Sequence, residues 1–288
     1  MSTQKFKIAL CQMKVGEDKA KNLANAEKLI KESIEKGNPD IIVLPEFFNS
    51  PYGLSFMKPY AEEPKDSETL KFISALAKST EKYIVAGTIP IKELNSEKEF
   101  NYYNTCFVFD RKGEIIAKHN KAHLFDIDIP GKISFKESEV LTGGNEFTSF
   151  ETEYCNIGIG ICYDIRFPEY SQILKKEKKV DLIIYPAAFN TITGPMHWDL
   201  LARGRALDNN VHLAMCSPSR NTDNPQGYQA HGFSVVYDPM AKCLGTTGFE
   251  EDIVITEIDL QKNRDIEAQI PTWKQKRCDM YGIKDNTA

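Results

Sequence analysis

Asn156-Ile157-Gly158-Ile159-Gly160-Ile161-Cys162-Tyr163-Asp164-Ile165-Arg166-Phe167-Pro168 is the stretch on which the reading of this chain turns. Three isoleucines alternate with two glycines, which is strand spacing with β-branched side chains on one face and almost none on the other. Something can therefore pack closely on the glycine face. A cysteine follows the strand, then a polar turn, then Pro168 at a position suited to start a helix. A cysteine on such a strand-to-helix turn is presented outward, with backbone N–H groups nearby that could hold an oxyanion. The plainer alternative is a buried free thiol, which is common in cores.

The chain around this stretch is an ordinary globular one. It has 288 residues, enough for a large core. A net charge of −5 and the lack of an aromatic-interleaved basic patch argue against nucleic acid. The lysines at 175, 176, 178 and 179 read as a solvated helix end. No stretch is long and apolar enough for a membrane span, and Met1 to Lys7 has no apolar signal core. The seven cysteines are odd in number and lack C-x-x-C spacing, so neither a disulfide framework nor a zinc cluster is expected. A reducing compartment, the cytoplasm, is the simplest expectation, with a mitochondrial pool left open.

Working outward, Phe6 to Gln12 reads as a strand, 22–35 as a helix and Ile41 to Leu44 as a strand buried on both faces. This β-α-β opening points to a layered α/β fold. Residues 67–82 read as a second helix and 83–89 as a strand. Residues 102–109 and 114–117 flank a hairpin turn, and 126–145 looks like one long loop. Residues 147–150 and 156–161 are further strands, and 170–178 and 197–209 helices. Asp-Leu-Ile-Ile-Tyr-Pro at 181–186 echoes Asp-Ile-Ile-Val-Leu-Pro at 40–45, suggesting two similarly built halves. Strands are expected at 211–216, 233–237, 243–245 and 252–258. The polar segment 259–288 is expected to be a tail on the surface or on a partner subunit. No linker divides the chain, so one domain over 1–288 is expected.

Three ionisable residues stand at the ends of apolar strands: Glu46, Lys121 and Cys162. Strand ends of an α/β sheet share a rim, and ligands bind there. A cysteine needs a base to take its proton. A carboxylate in an apolar pocket can exchange protons near neutrality. A lysine ammonium can hold a developing oxyanion. A Cys–His arrangement using His119 or His123 remains open at this level. The five histidines are dispersed, and no metal set emerges.

These residues resemble the nitrilase superfamily of carbon–nitrogen hydrolases, across essentially the whole chain. The resemblance is carried by Leu44-Pro45-Glu46, by Lys121-Ala122-His123-Leu124-Phe125-Asp126 and by Gly160 to Glu169. It is strongest to the ω-amidase branch, through Asn49 to Gly53, Phe125 to Lys132, Phe135 to Ser138, Thr193 to Trp198 and Gln269-Ile270-Pro271. It implies a four-layer α-β-β-α sandwich that forms a homodimer. Glu46 would be the general base, Lys121 the oxyanion and positioning lysine, and Cys162 the nucleophile. Glu137 would orient substrate and lysine, and the Tyr163 backbone N–H would complete the oxyanion hole. Arg166 would bind the distal carboxylate of a dicarboxylic acid monoamide; its alternative is an ion pair with Asp164 or Glu169. Tyr52 and His123 would line the pocket. No cofactor is implied.

The implied reaction hydrolyses the terminal amide of α-ketoglutaramate or α-ketosuccinamate through a cysteine thioester. Rival expectations are a deaminated-glutathione amidase, another carbon–nitrogen hydrolase, and a catalytically silent binding scaffold. One departure is visible: where many relatives read Gly-His-Ser, this chain reads Gly232-Phe233-Ser234, with His231 displaced toward the N-terminus. That puts the packing or dimer role of the segment in question.

Overall fold

The computed structural model describes residues 5–129 and 133–287. The chain forms β1 (Lys5–Gln12), α1 (Lys19–Gly37), β2 (Ile41–Val43), α2 (Leu54–Tyr60), α3 (Glu68–Thr80), β3 (Tyr83–Val85), β4 (Ile89–Leu94), β5 (Phe100–Phe109) and β6 (Ile115–Asn120). Then come β7 (Asp126–Ile129), β8 (Ile133–Lys136), β9 (Thr148–Glu151), β10 (Asn156–Ile159), α4 (Pro168–Lys178), β11 (Leu182–Pro186) and α5 (Gly194–Asn209). The chain closes with β12 (His212–Cys216), β13 (Val235–Tyr237), β14 (Cys243–Thr246), β15 (Asp252–Asp259) and α6 (Gln261–Gln269).

Two sheets result. The first runs β15-β1-β2-β3-β5-β4, with β6 also paired to β5; the second runs β14-β13-β12-β11-β10-β9. The echoing segments become the middle strands of two parallel trios, β1-β2-β3 and β10-β11-β12. Apolar runs without alternation suit strands covered on both faces. On the outer face of the first sheet, Leu23, Ala26, Leu29 and Ile30 of α1 and Leu70, Ile73 and Leu76 of α3 pack against Ala9, Ile42, Leu44 and Ile84. Its inner face, with Ile8, Leu10, Ile41, Val43 and Val85, shares one core with the second sheet and with Leu174 of α4 and Trp198, Ala202 and Ala206 of α5. Cys216 Sγ of the second sheet lies 3.4 Å from Val43 O of the first. The layers are therefore α-β-β-α, as the resemblance implies.

The glycine face of the opening stretch packs against α4 and the neighbouring strand. A Cβ on Gly158 would lie 3.0 Å from Leu174 Cδ1, and one on Gly160 would lie 2.3 Å from Tyr185 Cε1 and 3.1 Å from Tyr170 Cε1. The isoleucines fill the inter-sheet core. The glycines thus admit a helix and two tyrosine rings, rather than bringing the second sheet closer.

Three expectations change. The strand expected at 83–89 is two strands, β3 and β4, because Gly87 turns the chain at φ +46°. The loop expected over 126–145 contains the β7–β8 hairpin and a 3₁₀ turn, Glu137–Glu139; Pro130 to Lys132 lie outside the described residues. The alternating Asp-Ile-Asp-Ile of β7 is too short and charged to stand out as a strand. The segment after 259 begins with α6, whose Asn263 Nδ2 donates to Asp181 O at 2.8 Å. Beyond it, Lys176 Nζ of α4 donates to Ile283 O at 3.0 Å. The Gly232 departure is absorbed locally: the Phe233 ring packs on His231 at 4.7 Å, and Phe233 O accepts from Trp198 Nε1 at 2.7 Å.

Candidate active site

Four of the expected residues meet at one rim. Glu46 follows Pro45 at the exit of β2, where Thr88 N donates to Pro45 O and Phe47 N to Thr88 Oγ1. Lys121 follows the last residue of β6, and Glu137 opens the 3₁₀ turn after β8. Cys162 opens a second 3₁₀ turn, Cys162–Arg166, three residues beyond Ile159, the last residue of β10, with φ +43°. Glu46, Lys121 and Glu137 are fully buried, and Cys162 nearly so.

Lys121 Nζ bridges the carboxylates, donating to Glu46 Oε1 at 3.2 Å and to Glu137 Oε1 at 2.9 Å. Glu46 Oε1 also accepts from Asn104 Nδ2 at 2.8 Å, and its Oε2 from Ala188 N at 2.7 Å. Glu137 accepts from the Tyr52 hydroxyl at 3.0 Å and from Phe125 N at 2.8 Å. Such buried charges are tolerable only because every one is paired and hydrogen-bonded.

The electrostatics follow from this packing. Burial pushes the Glu46 carboxyl up, against the pull of the Lys121 ammonium, and the Glu137 charge adds to the rise. Burial also pushes the Cys162 thiol well up, as does the adjacent Glu46 charge, while Lys121 and the Ala188 N–H oppose them. Burial would discharge Lys121, but the Glu137 and Glu46 carboxylates outweigh it and hold it cationic. The resting site is thus a protonated thiol beside a carboxyl poised to exchange a proton, with a fixed ammonium between two acids.

The thiol opens on a narrow pocket lined by Tyr52, Tyr163, Arg166, Ala188 and Thr193 among others. Tyr52 and Glu46 also line a wider cavity of about 440 Å³ that reaches Ser219 and Tyr228 and ends near the Lys14–Asp223 ion pair. The Tyr163 N–H falls in the first turn of the 3₁₀ segment, where backbone donors have no partner within the turn.

Arg166 is half-buried on that pocket. Its guanidinium sits over the Phe189 ring at 4.8 Å, and Nη1 lies 3.1 Å from His197 Nδ1. The expected alternative, an ion pair with Asp164 or Glu169, is not what forms: among the described residues no carboxylate bridges to Arg166. Asp164 is taken up by His123 and His119.

That arrangement also decides the histidines. His123 does not line the pocket at Cys162. Its Nδ1 lies 2.8 Å from Asp164 Oδ1, and its ring stacks on Phe167 at 3.7 Å. His119 is buried in β6, between Thr148 Oγ1 at 2.9 Å and the Tyr170 hydroxyl at 3.1 Å. Neither reaches the thiol as a base would. Among the described residues no group of three or more His, Cys, Asp or Glu side chains is placed to hold a metal ion.

Sequence reasoning missed four participants. Asn104 sits inside an apolar strand and carries no ionisable signal. Tyr228, whose hydroxyl donates to Ala188 O, comes from a Gly- and Asn-rich turn remote in sequence. Asp164 was visible only as an ion-pair partner. Ala188 could have been found, because it follows Pro186 in the echo of the segment that leads to Glu46.

The sequence profile of the carbon–nitrogen hydrolase family matches residues 7–268. Omega-amidase NIT2 of Bos taurus is 46% identical over 279 residues, 97% of this chain and 98% of that protein. Omega-amidase NIT2 of Homo sapiens is 44% identical over 279 residues, with 97% and 98% covered. Among solved structures, Saccharomyces cerevisiae Nit3, a member of branch 10 of the nitrilase superfamily, superposes with a TM-score of 0.85 at 39% identity, covering 95% of this chain and 97% of that one.

Proposed function

The chain belongs to the carbon–nitrogen hydrolase family, and we propose that it is an ω-amidase acting through a cysteine thioester on the terminal amide of a dicarboxylic acid monoamide such as α-ketoglutaramate. The observation that carries the reading is the pairing of two features in one pocket. A protonated thiol lies against a buried Glu–Lys–Glu cluster, and an Arg166 guanidinium without a carboxylate partner among the described residues stands beside it.

In this reading Glu46 takes the Cys162 proton as sulfur attacks the amide carbon. The oxyanion that forms is held by the Lys121 ammonium and the Tyr163 N–H. Glu46 returns the proton to the nitrogen, ammonia leaves and a thioester remains. Water, deprotonated by Glu46, attacks the same carbon. Sulfur departs and takes the proton back from Glu46, and the keto diacid is released. Glu137 keeps Lys121 oriented and charged. Arg166 takes the distal carboxylate, and Tyr52 lines the acyl pocket. The high pKa of the thiol favours proton transfer during attack over a standing thiolate. No cofactor enters these steps.

We further read residues 1–288 as one catalytic domain whose terminal segment packs on the surface or a partner. The chain is read as a homodimer, because α5 carries a stripe of exposed apolar side chains: Met196, Leu200 and Leu207 share a face and are 57%, 67% and 49% exposed. Seven free thiols suit a reducing compartment such as the cytosol; no helix among the described residues is long and apolar enough to cross a membrane.

Steady-state kinetics on α-ketoglutaramate and on deaminated glutathione test the substrate. A large preference for the second would replace the first. Mass spectrometry tests the chemistry: an acyl adduct should be trapped on Cys162, and undiminished activity in Cys162→Ala would end the thioester mechanism. Loss of all turnover on amides would leave the scaffold reading.

A further inference from the structure

Cys162 holds a left-handed backbone, φ +43°, a strained conformation for a non-glycine residue that persists only when neighbours over-determine it. The side chain two positions later does so. Asp164 is fully buried, and Ile161 N donates to its Oδ2 at 2.8 Å, while Asp164 N donates back to Ile161 O at 3.0 Å. This pair of bonds closes a ring around Cys162 and Tyr163. The other oxygen, Oδ1, is gripped by His123 N at 2.9 Å and His123 Nδ1 at 2.8 Å. His123 lies two residues after Lys121, so one carboxylate ties the turn bearing the thiol to the segment bearing the lysine.

We propose that Asp164 is the positioning residue of this site: it fixes Cys162 Sγ and the Tyr163 N–H relative to Glu46 and Lys121. The inference rests on the reading of Cys162 as the attacking group. Asp164 itself points away from the pocket and touches no substrate. Its effect is on geometry, where a misplacement of about 1 Å costs about 100-fold in rate. It acts after binding, because Arg166 and the pocket walls bind the rest of the substrate.

The test is Asp164→Asn in the full chain, checked for fold by circular dichroism and thermal melting. The amide can still accept one bond but turns a donor toward either Ile161 N or His123 N. The expected result is a folded protein with kcat on the amide substrate lowered about 100-fold, KM within about threefold, and slower alkylation of Cys162 by iodoacetamide. A folded variant with kcat within about threefold of the parent, or one whose loss lies wholly in KM, overturns the proposal. Should Asp164→Asn not fold, His123→Ala decides. It removes one of the two bonds to Oδ1 and leaves the carboxylate. A drop of about tenfold in kcat at constant KM supports the proposal, and an unchanged kcat overturns it. Cys162→Ala, run alongside, separates the two failures. If Cys162→Ala is inactive while the Asp164 and His123 variants are fully active, only the positioning role falls. If Cys162→Ala is active, the nucleophile reading falls with it.

Discussion

Glu46 Oε2 accepts the Ala188 N–H at 2.7 Å, and this bond joins the exits of two strands that resemble each other in sequence. β2 runs into Pro45 and Glu46; β11 ends on Pro186 and runs into Ala187 and Ala188. Each exit carries a proline, which has no N–H to give to the ladder; the second ladder closes one residue later, where Ala187 N donates to Cys216 O at 2.9 Å. The first exit delivers a carboxylate, the second a backbone donor aimed at that carboxylate. The β6 exit adds Lys121, and the turn after β10 adds Cys162. The site is thus built where the two sheets' strand exits face one another.

Lys121 is the charge on which the buried cluster depends. Lys121→Met leaves the Glu46 and Glu137 carboxylates buried without a cation, a loss of about 3–5 kcal/mol. The pH dependence carries the sign. Burial and the Glu137 charge already raise the folded-state pKa of Glu46, and removing Lys121 removes the opposing term. The folded variant then binds protons more tightly than the unfolded chain, so stability falls as pH rises through that window. Denaturant melts at about pH 5 and about pH 7.5 are expected to show the stability of Lys121→Met, relative to the parent at the same pH, falling further at the higher pH, because in the parent Lys121 holds down the rise in the Glu46 pKa. Turnover is expected to be lost at both.

Among the described residues no carboxylate pairs with Arg166, so its loss is expected to be felt by the substrate. A charge-assisted hydrogen bond contributes about 1.5–3 kcal/mol, or about 10- to 100-fold. Arg166→Ala is expected to raise KM by that factor on carboxylate-bearing amides and by less than about threefold on neutral amides of equal length. Equal losses on both would assign Arg166 to holding Phe189 and His197. Arg166→Lys is expected to recover only part, since an ammonium lacks the planar fork.

The residues of the proposed chemistry were legible in sequence: Glu46 and Cys162 each sit just past an apolar run, where an ionisable side chain is unexpected, and Lys121 lies in a dense ionisable cluster at a strand exit. So were the layers, from the β-α-β opening and the strand echo. What was hidden depends on closure in three dimensions. His119 and His123 look alike in sequence, and only packing against Asp164, Tyr170 and Phe167 removes both from acid–base contention. Asn104 is one polar residue within a strand, and nothing local shows that it faces Glu46. The β7–β8 hairpin is short and charged, so its pairing comes from the Glu137 end being anchored to Lys121. Gly87 splits a strand that apolar content alone would have continued.

The α5 stripe predicts an oligomer. Leu200 is 67% exposed between Met196 and Leu207 on one face. Leu200→Glu places a charge at the centre of that face, and burying it unpaired costs several kcal/mol. Sedimentation velocity is expected to show dimers for the parent and a shift to monomers for the variant at micromolar concentration. Unchanged dimers would direct the search to another surface.

His212 is fully buried in β12, and burial pushes its pKa down to about 4. Among the described residues neither ring nitrogen makes a hydrogen bond of good geometry, although Asn263 lies close enough to oppose part of the fall. Between about pH 6.5, the unfolded value, and about pH 4 the unfolded chain takes up a proton that the folded one refuses. Stability therefore falls as pH drops through this window, by at most about 3 kcal/mol from this residue. His212→Phe is expected to flatten that limb. The measurement is the denaturant midpoint at about pH 7 and about pH 4.5 for both proteins; parallel losses would place the acid sensitivity elsewhere.

Gly87, in the turn between β3 and β4, sets the exit of β2. Its φ is +46°, and a Cβ there would lie 2.0 Å from Pro45 O and 2.9 Å from Leu44 C. Those are backbone atoms, which cannot swing away as a side chain would. Gly87→Ala must therefore displace Pro45, and with it Glu46, or move Gly87 and break the Thr88 N bond to Pro45 O. Positive-φ strain plus this clash is expected to cost about 2–4 kcal/mol in stability. The displacement also separates Glu46 from the thiol, so kcat is expected to fall about 100-fold in whatever fraction stays folded. Thermal melts and kinetics corrected for folded fraction check both parts. A variant that loses stability but keeps full kcat would show that the exit of β2 can shift as a unit without disturbing the acid–thiol contact.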